Sequence, residues 1–141
     1  MTVVTINQAR EALATRLESI AGTQVSAYLL GNPTPPSLQV ISGEIVYEET
    51  CGAGALMGYM FKVQAMVGVP SDIGAQKRLG EYSDASGSKS IRACIAADKT
   101  LGGVVDSAHV ESASEEKIYE LQSGNVVIGR EWLVEVLAAG V

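Results

Sequence analysis

The clearest pattern in the chain is a strict alternation of residues over positions 57–69. One alternating set is Met57, Tyr59, Phe61, Val63, Ala65, Val67 and Val69, and the other is Gly58, Met60, Lys62, Gln64, Met66 and Gly68. A period of two is typical of a strand with one buried face. Fully extended, the stretch would measure roughly 40 Å, about twice the usual strand length. We therefore expect a long strand, part of which projects from the domain and pairs with something outside it.

An N-terminal helix is predicted by its start signal and its apolar stripe. Thr5 and Gln8 have the spacing of a capping box, in which each side chain bonds the backbone N–H of the other residue. Apolar residues then recur every three or four positions, at Ile6, Ala9, Leu13, Leu17 and Ile20. This spacing places them on one face of a helix of about four turns, which Gly22 is suited to end.

Two further helices are predicted after the long strand. Ser71 is a suitable cap for the first, with Asp72 favourable near its N-terminus, and this helix extends to Ser83. Ser88 is the predicted cap of the second, whose buried stripe is Ile91, Cys94 and Ile95. Asp98 follows that stripe, and we expect its carboxylate to accept hydrogen bonds from the N–H groups of Gly102 and Gly103.

Four more segments read as strands, at residues 23–30, 38–48, 104–111 and 126–137. The second contains Gly43, which predicts a bulge, and the last contains Trp132, which we expect to anchor the core. Residues 117–122 have no clear pattern. The proline-rich residues 31–37 predict a stiff connector, because proline can continue neither a helix nor a central strand; a polyproline segment that docks a partner is the alternative.

Composition describes a globular chain without a basic patch. The length of 141 residues suits a single domain spanning 1–141, and 47% of the residues are hydrophobic against 18% charged. The formal net charge of −6, with no cluster of lysine and arginine, argues against a protein that grips nucleic-acid phosphates. Charges and glycines interrupt the apolar runs, so no membrane span is predicted, and the N-terminus lacks the basic region of a secretory signal.

A glycine-rich stretch precedes the long strand, and we expect a flexible hairpin loop at about residues 49–56. Gly52, Gly54 and Gly58 approach the spacing of a dinucleotide-binding fingerprint. That fingerprint requires a helix to follow the glycines, whereas the alternation after Met57 predicts a strand. The loop is therefore interpreted as a contact arm between subunits, and a small-molecule-binding α+β module using the loop between Gly52 and Gly58 is kept as an alternative.

Candidate catalytic chemistry is sparse. The single histidine, His109, could act with Cys94 as nucleophile and with Asp98 or Asp106 as the orienting carboxylate, which makes a cysteine-dependent hydrolase a less favoured alternative. Cys94 lies on the apolar stripe of a helix, where a thiol is normally inert. The two cysteines, Cys51 and Cys94, lack the spacing to His109 that a zinc site needs. The sequence therefore predicts no catalytic residues, no metal and no cofactor.

A resemblance to a known family joins several of these elements. Asp72, Leu79, Tyr82 and Ser90-Ile91 lead into Ala96-Ala97-Asp98-Lys99-Thr100-Leu101-Gly102-Gly103, and strands with Gln39, Tyr47-Glu48-Glu49-Thr50 and Val127-Ile128-Gly129-Arg130-Glu131-Trp132-Leu133-Val134 flank this stretch. From about Ala9 to Leu137 the chain resembles the tail-terminator and neck proteins of long-tailed bacteriophages. The resemblance implies an α+β fold, with a mostly antiparallel β-sheet that carries an N-terminal helix and a helix pair on one face.

The same resemblance implies a structural virion protein without enzymatic activity. Its subunits would form a homohexameric ring that caps the tail tube and joins it to the head connector, with DNA passing through the lumen without sequence-specific binding. The implied partners are further copies of the chain, the tail tube protein and the head–tail connector proteins, and the implied location is the virion, after assembly in the host cytoplasm. The candidate inter-subunit or ring-stacking contacts are Cys51, Gly52, Ala53, Gly54, Ala55, Met57, Met60, Lys62 and Arg130.

Overall fold

The computed structural model describes residues 4–20, 22–31, 33–47 and 56–139. In chain order the elements are α1 (Ile6–Leu17), β1 (Gln24–Ser26), β2 (Ser37–Val46), β3 (Leu56–Gly68), α2 (Ile73–Ser83), α3 (Ile91–Ala96), β4 (Ser107–Ala113), β5 (Lys117–Glu120) and β6 (Val126–Ala139). One mixed sheet of six strands packs with three helices, so the fold class is α+β, as the sequence predicted.

The strands are ordered β1-β2-β3-β6-β4 across the sheet. The β1–β2 pair is parallel and all other pairs are antiparallel. β5 also pairs with β6, over residues 126–129, whereas β4 pairs with β6 over residues 132–137. The two short strands therefore follow one another along a single edge of the sheet.

The long strand β3 is the central strand of this sheet. It pairs with β6 along its whole length, from Leu56 to Gly68, and with β2 from Gly58 to Met66. Its described residues thus already have backbone partners within the chain. The expectation that part of this strand projects and pairs outside the domain is wrong for these residues, because β6 is equally long and lies against it.

The three helices cover one face of the sheet and bury the core against it. The buried side chains of β3 on this face are Met57, Tyr59, Phe61, Val63, Ala65 and Val67, and those of the helices include Ala9, Leu13, Leu17, Leu79, Tyr82, Ile91 and Ile95. Trp132 of β6 is 2% exposed and belongs to the same core, which confirms its predicted role as an anchor.

The start of α1 confirms the predicted capping box. Thr5 Oγ1 accepts the Gln8 N–H at 3.1 Å, and Gln8 Oε1 accepts the Thr5 N–H at 2.9 Å. The helix ends at Leu17, with Glu18 as its C-cap, and so is shorter than the expected four turns. Ile20 is nevertheless buried in the turn that follows, which explains why it continues the apolar stripe.

The caps of α2 and α3 lie within two residues of the predicted ones. Asp72 caps α2 by accepting the N–H of Gly74, whereas Ser71 was expected to cap it. Ser90 caps α3 and accepts the N–H of Ala93, whereas Ser88 was expected. In each case the sequence offers two candidates within two residues of each other whose side chains can accept the N–H groups of the first helical turn.

Strand bounds differ most at the two edges of the sheet. β1 has three residues where eight were expected, and β4 begins at Ser107 instead of Val104. The segment without a clear pattern contains β5. In β2, the pairing register shifts between Ser42 and Ile45, which agrees with the bulge predicted at Gly43.

Candidate functional site

The face of the sheet opposite the helices, which we call the open face, is the candidate functional surface. No helix of the described residues covers it. It consists of side chains from four paired strands: Ile41, Met60, Lys62, Gln64, His109, Glu111, Glu131, Leu133, Glu135 and Leu137. The alternation along each strand creates this surface, because the intervening residues point into the helix-covered core.

One end of this side of the sheet is covered by the proline-rich connector. Leu30 N–H donates to Gln39 Oε1 at 2.6 Å, and Gln39 Nε2 contacts Met66 Sδ at 3.9 Å. Gln122 N–H donates to the carbonyl of Gly31 at 3.4 Å and links the β5–β6 turn to the connector. Gln39 and Met66 are consequently buried, and the open face begins at the row that Gln39 shares with Gln64 and Glu131.

That first row is a polar network centred on Glu131. Lys117 Nζ lies 3.3 Å from Glu131 Oε1, and Tyr119 Oη donates to Glu131 Oε2 at 3.1 Å. Gln64 Nε2 donates to the same Oε2 at 3.4 Å, whereas its own Oε1 is buried and meets no donor within the described part of the chain. The network ties β3, β5 and β6 together across the sheet.

The surroundings of this network change the pKa of two of its members. Burial alone would raise the pKa of Glu131, but hydrogen bonds from Lys117 and Tyr119 and the charge of Lys62 outweigh it and hold that pKa below its usual value. Burial, together with the nearby Glu131 carboxylate, raises the pKa of Tyr119 to about 12. The carboxylate is therefore held in its charged form and the phenol in its neutral form.

A second row combines a histidine with two carboxylates. His109 of β4 lies directly opposite Glu135 of β6, and Met60 of β3 lies on the other side of Glu135. His109 Nε2 is 3.9 Å from Glu135 Oε1 and 3.8 Å from Glu111 Oε1. Sequence reasoning did not identify either glutamate as a partner of His109. For Glu135 the reason is its distance along the chain, because only the strand register brings it near.

The predicted contact residues fall into three groups. Met60, half-buried, and Lys62, exposed, lie on the open face, where a neighbouring molecule can reach them. Met57 is only 8% exposed and packs in the core of its own chain, so little of its side chain is available to a neighbouring subunit, and its contact stays a prediction. Cys51, Gly52, Ala53, Gly54 and Ala55 lie outside the described residues, as does most of the predicted hairpin loop.

Arg130 lies on the helix-covered side, beside Ala65 of β3. Its Nη1 donates to Ser83 Oγ at 2.8 Å, and its Nη2 lies 3.4 Å from Glu116 Oε1. Its Nε is buried and has no hydrogen-bond partner among the described residues. The side chain thus connects β6 to the end of α2 and to the β4–β5 connection, and its described bonds are all within the chain.

The residues considered for a cysteine hydrolase do not come together. Cys94 is buried against α1, where its Sγ donates to the carbonyl of Arg16 at 3.2 Å and lies 3.2 Å from Ser19 Oγ. His109 lies on the open face, on the other side of the sheet. Asp98 accepts the N–H of Gly102 at 2.9 Å, as predicted, but the N–H of Gly103 donates to Thr100 Oγ1 instead.

The dinucleotide fingerprint also lacks its structural context. Gly58 lies within β3 and pairs with Val46 and Leu137, so the glycine-rich stretch leads into a strand. A pyrophosphate-binding fingerprint needs a helix at this point, because the N–H groups of the first helical turn hold the phosphates.

An apolar groove lies beside the connector. It has a volume of about 700 Å³ and is lined by Pro33, Pro35, Val69, Leu121 and Val126, among others. Val69 and Val126 are exposed large hydrophobic residues, so the groove opens to the surface. Its volume is that of a typical small-molecule site, although few polar groups line it.

Comparisons with known proteins add no relative. A comparison with models of known protein families finds no match, and a comparison with curated proteins also finds none. Among the described residues, no helix is both long enough and apolar enough to cross a membrane.

Proposed function

We propose that this protein is a structural subunit of a homohexameric ring that caps the tail tube of a long-tailed bacteriophage and joins the tube to the head connector. The observation that carries the proposal is the open face. Domains normally bury both sides of their sheets in packed layers or leave one side polar. Here the uncovered side is mixed, and a neighbouring subunit in a ring would supply the missing layer.

The chemistry of the open face supports this use. Met60, Leu133 and Leu137 are half-buried apolar side chains on it, and Lys62, Glu131 and Glu135 place charges among them. Apolar positions bordered by charges are typical of protein–protein contacts, where burial supplies affinity and the charges supply orientation. A ring needs a contact of this kind, since each subunit joins its neighbour through two different surfaces.

The charge of the chain is compatible with a channel for DNA. Each subunit has a formal net charge of −6. Like charge between a ring and DNA would keep passing DNA from adhering to the ring. The proposed partners are other copies of the chain, the tail tube protein and the connector proteins in the virion, and no catalytic step is required of any residue.

The proposal is tested by the mass and shape of the assembled protein. Six copies of the 14.7 kDa chain would give a particle of about 88 kDa by multi-angle light scattering and a ring by electron microscopy. Lys62→Glu, which reverses an exposed charge on the open face, is expected to weaken assembly. Lys77→Glu makes the same change on the exposed side of α2 and is expected to leave assembly unchanged.

Two results would contradict the ring. One is a protein that stays monomeric at all concentrations and also fails to bind the ends of tail tubes from the same phage. The other is an assembly that Lys77→Glu disrupts and Lys62→Glu does not, since this would move the contact from the open face to the helices.

A second candidate function is binding of an apolar small molecule in the groove beside the connector. The groove volume of about 700 Å³ favours this alternative, and the residues that line the groove lie outside the glycine-rich stretch of the sequence. Val126→Arg would put a charge in the groove, whereas Gly54→Val changes the glycine-rich stretch. Binding of the uncharged dye Nile red to the folded protein, lost in Val126→Arg and kept in Gly54→Val, is the expected result for this alternative.

A further inference from the structure

We propose that His109, Glu111 and Glu135 form a binding site for a transition-metal ion, with Zn²⁺ as the ion that matches them best. One ligand atom from each side chain lies within 4.8 Å of the other two. Zinc bonds of about 2.0–2.2 Å in a tetrahedral site place the ligand atoms roughly 3.3–3.5 Å apart. The distances of 3.8 and 3.9 Å from His109 Nε2 to the two carboxylates are only slightly larger, so small side-chain rotations close the site.

The backbone holds these ligands in place. His109 and Glu135 are directly opposed in the β4–β6 register, and Glu111, two residues beyond His109, brings its carboxylate to 3.8 Å from His109 Nε2. The register shifts between Val110 and Ser112, which makes Glu111 the extra residue of a β-bulge. Bulges of this kind redirect side chains and are frequent beside functional sites. All three ligands thus lie on paired strands and not on a mobile loop.

The charge of the cluster favours a cation. Within the part of the chain that the structure describes, the ion pairs of Glu111 and Glu135 are made with His109 alone, and neither carboxylate pairs with a lysine or an arginine. By contrast, Glu131 and Glu116 each pair with a basic side chain nearby. Two adjacent carboxylates repel each other, and a divalent ion between them would remove that repulsion.

The ligand types select the class of metal. A histidine nitrogen with two carboxylate oxygens suits zinc and its neighbours in the first transition row, whereas Mg²⁺ and Ca²⁺ prefer oxygen ligands throughout. The side chain of His109 is 47% exposed, so a bound ion keeps a coordination position for water or for a group from another molecule. This inference does not depend on the proposed ring, because the three ligands come from one chain.

The test is a titration of the untagged protein with ZnCl₂ by isothermal calorimetry, repeated with CoCl₂ to record the visible absorption of bound Co²⁺. We expect saturable binding of one ion per chain. Because the chain has a single histidine, His109→Ala should abolish binding without a competing site. Glu111→Gln and Glu135→Gln should each weaken binding by roughly tenfold, a loss of about 1.4 kcal/mol.

Matched controls separate this site from other zinc ligands. Glu115→Gln alters an exposed carboxylate on the same edge of the sheet and should leave the affinity unchanged. The double variant Cys51→Ser/Cys94→Ser should also bind normally. Circular dichroism of each variant checks the fold, which the exposed position of His109 should leave intact. The proposal is overturned if no saturation occurs below about 1 mM, a very weak affinity, if His109→Ala still binds, or if the double cysteine variant loses binding.

Discussion

At the scale of single residues, Glu131 is a carboxylate whose hydrogen bonds and neighbouring charges lower its pKa. Its side chain is 18% exposed and is held by Lys117, Tyr119 and Gln64. Glu131→Gln keeps the shape but removes the charge, and we expect a loss of about 1–2 kcal/mol in the free energy of unfolding at pH 7. Urea unfolding of both proteins measures this loss. Glu115→Gln changes an exposed acid on the same edge of the sheet and serves as the control, with little expected effect on the free energy of unfolding.

The effect of Glu131→Gln on the free energy of unfolding should depend on pH. The folded-state pKa of Glu131 lies below its ordinary value of 4.5, so its charge stabilises the fold above that value. This stabilisation is lost as the pH falls through the folded-state pKa, where the carboxylate becomes protonated. The difference in the free energy of unfolding between wild type and Glu131→Gln should therefore shrink below about pH 4.5. A difference that stays constant from neutral pH to pH 3 would show that the charge is not the source.

Arg130 gives a second residue-scale prediction, because its buried Nε lacks a partner. Arg130→Met removes that unpaired group and keeps the apolar stem, while Ser83 Oγ retains its bond to the Leu79 carbonyl and exposed Glu116 turns to water. We expect the free energy of unfolding to stay within about 1 kcal/mol of wild type, as for other replaced ionic groups. Arg130→Ala, which also deletes the stem, should be less stable. A Met variant as unstable as the Ala variant would contradict this account.

At the scale of elements, Gly129 is a position where β6 leaves no room for a side chain against β3. A Cβ at this position would collide with the carbonyl oxygen of Ala65 and lie 2.8 Å from the ring of Tyr119. Gly129→Ala is therefore expected to lower the free energy of unfolding by about 3 kcal/mol, because neither strand can move without breaking the sheet.

Gly80 is the matched control for Gly129. It lies inside α2 with open space around the position of a Cβ. Gly80→Ala should raise the free energy of unfolding by about 0.5–1 kcal/mol, since alanine is the better helix former. Urea denaturation of both variants gives the comparison, and equal effects of the two substitutions would refute the packing argument at Gly129.

The elements also show what the sequence could and could not predict. The alternation placed both ends of β3 within one residue, and the capping box placed the start of α1, because both signals are local. The C-terminal end of β4 was missed, since the bulge at Glu111 interrupts the alternation along this edge strand. The alternation also indicated a second, more polar face of β3, but the pairing of His109 with Glu135 on that face was beyond reach, because only the register of two strands far apart in sequence brings them together.

At the scale of the whole molecule, the strand order predicts which strands open locally most often and which open least. β3 lies between two long partners, whereas β1 has three residues and β5 is bonded only to β6. Local opening is easiest where few partners hold a strand. The amides of β3 and of the adjoining part of β6 should therefore exchange with deuterium most slowly, and those of β1 and β5 most quickly, in mass-spectrometric exchange of the dilute protein.

Repeating the deuterium exchange at a high protein concentration tests whether copies of the chain assemble through the open face. β3 is already paired on both sides within the chain. Contact with a neighbouring copy should therefore leave the slow exchange rate of its amides unchanged. An edge strand such as β4 has free backbone groups on its outer side, and its exchange should slow if copies meet near the open face. Lys62→Glu should reduce that extra protection and Lys77→Glu should not. If the amides of β5 exchange as slowly as those of β3 in the dilute protein, the strand order does not determine where the sheet opens.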